Sequence, residues 1–101
     1  MAQVLVSSAC VEFRETLAHH IKALTRSDPP RHSVEWYFLR YLRRVAKCAE
    51  ATPKASEVSG AMRGLIRFYV DSAAHDAALS ERFEDVLAAH RHALRAEHSP
   101  P

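Results

Sequence analysis

A chain of 101 residues, 48% apolar and 26% charged, has the composition of one globular domain and none of the bias of a disordered segment. Its uninterrupted apolar runs are only a few residues long, so none can span a bilayer, and the start MAQVLVSSACVEF lacks the basic stretch of a secretion signal. A cytoplasmic protein with no membrane partner is expected. The net charge of +2 conceals a polarity: residues 31–67 hold eight Lys/Arg against three Glu (+5), and residues 71–101 hold three Arg against six Asp/Glu (−3). Such asymmetry biases encounters with charged partners and does not bear on the fold.

In chain order, the triplet at 4–6 (VLV) makes at most a strand-like arm. A first helix, capped by Ser7 or Ser8, runs to about Leu24 with Cys10, Phe13, Leu17, Ile21 and Leu24 on one face. Pro29 and Pro30 then break the chain, because proline cannot continue a helix interior. A second helix runs from about Ser33 to Ala51, with Val34, Phe38, Tyr41, Leu42 and Val45 sharing an arc at about 100° per residue. Thr52 and Pro53 read as N-cap and first residue of a third helix, with Val58, Met62, Leu65, Ile66, Tyr69 and Ala73 inward. A fourth begins between Asp76 and Ser80 and ends near Ala96, with Leu79, Phe83, Val86, Leu87, His90 and Leu94 inward. Glu81 and Glu84 stand near its start, where the helix dipole favours acid. No segment alternates with period two. The expected fold is all-α, a compact antiparallel bundle of about four helices in a single domain 1–101, with flexible ends at 1–7 and 97–101.

Gly60 and Gly64 lie four apart inside the third helix, each costing about 1 kcal/mol relative to Ala. A close backbone approach, within the bundle or across a dimer interface, is the expected compensation. The cysteines Cys10 and Cys48 read as small buried thiols, because one separated pair makes no disulfide framework.

Seven histidines invite metal or catalytic chemistry, but the spacing opposes it. His19 and His20 diverge by about 100°, and His90 and His92 by about 200°, so neither pair can share an ion. His90 reads as a satisfied core histidine. Glu81 and Asp85 read as a solvated pair. No nucleophile elbow, phosphate loop or dinucleotide-binding glycine pattern occurs, and neither a metal nor a cofactor is expected. What remains is surface.

The second helix carries the strongest surface signal. Trp36 points away from the apolar arc, in line with Arg40, Arg43 and Lys47, with Arg44 more peripheral. Trp and Arg dominate binding hot spots, so Trp36 is the expected anchor and the cations steer a partner. The competing expectation is that Trp36 and Leu39 pack on a neighbouring helix beneath arginine stems. The same stripe would also suit nucleic acid, although a pI of only about 8.7, an acidic fourth helix and a Pro-Pro loop speak against a helix-turn-helix. A structural homodimer is the further alternative.

The order His20-Ile21, Pro29-Pro30, Ser33, then Trp36–Leu39 (WYFL) and Leu42 resembles the CowN family of small N2-fixation sustaining proteins. Val58, Met62, Leu65, Ile66 and Phe68 are similar to that family's third helix, and Leu79–Glu84 (LSERFE) to its final segment. Cys10 corresponds to a cysteine near its N-terminus. The resemblance covers residues 4–87 and implies a non-enzymatic partner of nitrogenase that sustains nitrogen fixation when carbon monoxide is present. The departures are at the end and in one connection. Family members are acidic and finish in glutamates with a Cys-Cys pair, whereas this chain is mildly basic and finishes His98-Ser99-Pro100-Pro101. Residues 46–56 replace a Gly/Asp-rich connection.

Overall fold

Four α-helices make up most of the computed structural model, which describes residues 8–98: α1 Ser8–Ser27, α2 Val34–Ala51, α3 Ser59–Phe68 and α4 Ala77–His98. The arm at 4–6, the cap at Ser7 and the ends 1–7 and 99–101 lie outside the described residues. The fold is an all-α bundle, with no strand among the described residues. α1 packs on both α4 and α2, and α2 packs on α3. One core joins them. Phe13 and Leu17 of α1, Phe38, Leu42 and Val45 of α2, Met62 and Leu65 of α3, and Leu79 and Val86 of α4 are all closed to water.

The local chemistry sets the ends of the elements. Past Ser27, Asp28 adopts φ 46° and its amide donates to the Thr25 carbonyl at 3.2 Å, which stops α1. Pro29 and Pro30 carry the chain over, and Ser33 caps α2 by accepting the Trp36 amide at 3.1 Å. At the far end of α2, Arg14 of α1 donates Nε to the Ala49 carbonyl (3.1 Å) and Nη2 to the Thr52 carbonyl (3.2 Å), serving acceptors that the helix leaves open. Asp76 caps α4 through the Leu79 amide at 3.0 Å.

Three expectations need correction. Thr52 and Pro53 do not start the third helix. Thr52 is the extended C-cap of α2, its hydroxyl accepts the Lys54 amide at 3.1 Å and donates to Glu57, and a 3-10 turn, Ala55–Val58, leads into α3. The reason is that Lys54 is itself extended (φ −96°, ψ 117°), so no helix follows Pro53, and Glu97 of α4 takes the Ser56 amide (2.9 Å) and hydroxyl (2.6 Å) in the turn beyond it. Glu97 is therefore a tie within α4, not part of a loose tail, and α4 runs to His98. Nor does a close backbone approach within the bundle compensate either glycine. A Cβ on Gly64 would meet the Tyr41 ring at 3.7 Å, an ordinary contact, and one on Gly60 would meet only the Arg63 side chain, at 4.0 Å.

α3 ends in a wider π turn, Tyr69–Ala73, that buries Ala73 and leaves Val70 65% exposed. There Tyr69 stacks on Phe83 of α4 at 3.8 Å, and its hydroxyl donates to Ser80 at 2.8 Å. His90 is the satisfied core histidine that its position on the stripe suggests. Its Nε2 donates to the Ala55 carbonyl at 3.0 Å, and its ring lies 5.3 Å from Phe13. Cys10 is buried and donates to the Pro53 carbonyl at 3.2 Å, Cys48 is half-buried, and the two form no disulfide.

Candidate docking surface

The loop after α1 and the first two turns of α2 form the candidate site. His32 sits at φ 68°, a left-handed conformation uncommon outside glycine, and this turns its ring back over the helix start. There His32, Trp36 and Tyr37 make an aromatic cluster. The indole is 4.9 Å from the His32 ring and 4.9 Å from the Tyr37 ring, and His32 Nδ1 hydrogen-bonds the Tyr37 hydroxyl at 2.9 Å. Arg40, one turn on, lays its guanidinium 4.8 Å over the indole, a cation–π contact. Trp36 is half-buried as a result, bracketed by side chains on its own surface. Leu39 is 4% exposed and belongs to the core, which bears out half of the packing alternative.

Beside the cluster lies a groove of about 290 Å³ lined by Trp36, Leu39, Arg43, Thr25, Pro29 and the loop residues Asp28 and Arg31. Arg43 is held in place, donating Nη2 to the Thr25 hydroxyl at 3.1 Å while that hydroxyl donates to the Ile21 carbonyl at 2.7 Å. The structure thus brings together Trp36, Arg40 and Arg43. Lys47 is exposed on the same stripe, two turns beyond Arg40. Arg44 stands apart, with its guanidinium 5.4 Å over the Tyr41 ring, which itself stacks on Phe68 of α3 at 4.8 Å. Sequence reasoning missed Thr25, Asp28, Pro29, Arg31 and His32 as parts of the site. The Pro-Pro loop was the available signal, but its fold over Trp36 depends on a left-handed residue that a sequence does not announce.

A second polar cluster joins α1 to α4. His20 is 6% exposed, accepts Arg82 Nη1 at Nδ1 (3.0 Å), and approaches Asp85 Oδ2 through Nε2 at 2.6 Å. A guanidinium can only donate, so Nδ1 is the acceptor and Nε2 carries the proton given to Asp85. Asp85 is thus engaged, not merely solvated as its spacing from Glu81 suggests. Phe13, Leu17, His20 and Leu24 follow the same three-and-four spacing, which was the signal for His20 on the inner face. Among the described residues no group of three His, Cys, Asp or Glu is placed to hold a metal. Nor is any described helix long and apolar enough to cross a membrane.

A small all-α bundle carrying an aromatic-cationic groove is therefore the class of protein that fold and surface define. Comparisons with protein-family models, with curated proteins and with solved structures gave no match.

Proposed function

We propose that this chain is a non-catalytic protein-binding module that docks through the Trp36 groove onto an acidic face of its partner. The observation that carries the reading is the pre-arranged pair of arginines: Arg40 is stacked on the indole and Arg43 is pinned to Thr25 at the groove wall. Arginines already held in position lose less side-chain entropy on binding, and a ring at a groove edge supplies the anchor typical of hot spots. Arg31 and Lys47 add steering charge. The resemblance to the CowN family makes nitrogenase the partner to test first, in a cytoplasmic role that sustains it when carbon monoxide is present. Nucleic acid fits less well. Stacking platforms offer an open ring face, whereas here Arg40 covers the indole and His32 and Tyr37 crowd it.

The test measures binding to purified nitrogenase component proteins by calorimetry, together with their turnover under carbon monoxide. Trp36→Ala is expected to weaken binding by more than about 1 kcal/mol and to cancel protection, with only a small change in melting temperature. Arg43→Glu should act in the same direction and steepen the loss at low salt. Wild-type protein that neither binds nor protects would remove nitrogenase from the reading, and full binding by both variants would remove the groove.

A further inference from the structure

A second cleft lies further along the seam between α1 and α2, with a volume of about 520 Å³. Its floor is apolar and low. Leu17, Ala18 and Ile21 come from α1 and Ala46 and Ala49 from α2, so three of these five side chains are single methyl groups. A methyl floor leaves a furrow into which a helix can sink, because interaxial distance is set by side-chain size at the contact. The rim carries Arg14 and Lys22 against Glu15 and Glu50, a balanced set. The side chains of Glu15, Lys22 and Glu50 form no hydrogen bond or ion pair among the described residues.

Balanced charge narrows the choice of occupant. A partner face of one sign would meet as much repulsion as attraction, whereas a second copy presents both signs in reversed order. On α1, Glu15 lies three residues before Ala18 and Lys22 four after it. An antiparallel pairing of two α1 helices with its twofold axis beside Ala18 sets each Glu15 opposite the partner's Lys22, twice over. Such a closed interface uses the same patch on both copies. The small Ala18 at the crossing allows the two helices to approach closely. Val11, 41% exposed, lies two turns before Ala18 on the same face and extends the apolar stripe beyond the charged pair.

We propose that the α1–α2 groove seats a second copy of this chain, with α1 packed antiparallel on the partner's α1 about Ala18 and Glu15 paired with Lys22 across the twofold. The proposal stands independently of the docking function.

Sedimentation equilibrium of the full chain across the micromolar range tests it. Wild type should sediment as a dimer. Glu15→Lys and Lys22→Glu should each raise the dissociation constant at least about tenfold by setting like charges opposite one another. The double variant, E15K with K22E, should recover the wild-type constant, which a merely structural effect of either change would not produce. Both positions are exposed, and circular dichroism checks that the helices persist. A monomer at every concentration, a dimer indifferent to both single reversals, or a double variant no tighter than the singles would each overturn the proposal.

Discussion

α1 is flanked by two seams built on different terms. Against α4, it presents Phe13, beside the bonded ring of His90, and His20, tied to Arg82 and Asp85. Large rings fill that seam, and every buried polar atom in it has a partner. Against α2, the same helix meets Ala46 and Ala49, and the seam stays open as a groove. Both seams are apolar in pattern. Side-chain volume, not hydropathy, separates a sealed contact from a receptive one, because alanine satisfies an apolar stripe without filling the space above it.

Substitutions that attack this contrast should differ in scale. Phe13→Ala removes the ring at the centre of the sealed seam, and urea unfolding should show a loss of about 3–5 kcal/mol. His90→Leu keeps the volume but leaves the buried Ala55 carbonyl without its donor, for a loss of about 1–3 kcal/mol in the same measurement. His20→Leu should cost less than about 1 kcal/mol, because the Asp85 side chain is 61% exposed and water can replace the lost bond. In the open seam, Ala46→Leu should change monomer stability by less than about 0.5 kcal/mol, since the hollow accepts the added carbons. If Ala46→Leu proved as damaging as His90→Leu, the two seams would be equally filled and the contrast would fail.

Much of the scaffold was legible because helical periodicity is local. The stripe Phe13, Leu17, Leu24 and the arc Phe38, Leu42, Val45 are buried as their spacing requires. The site was legible in part: Trp36, Arg40 and Arg43 meet because they lie one turn apart on one helix. Arg44 sits too far round the same helix and joins Tyr41 instead. Thr52 misled because its hydroxyl does accept the Lys54 amide, as a cap would, but Lys54 stays extended and the turn that follows is tied to Glu97, 41 residues beyond Ser56.

By itself the sequence determines an all-α chain, its helix faces and the stripe that carries Trp36 with its cations, since each follows from angular repeat and residue chemistry over one or two turns. Only the tertiary structure decides that the loop folds over the indole, that Leu39 turns inward and that His20 finds Arg82 and Asp85 more than sixty residues away. It also decides which seam of α1 stays open. Those outcomes depend on which helices come to lie side by side and how much space their side chains leave between them, and no local pattern encodes either.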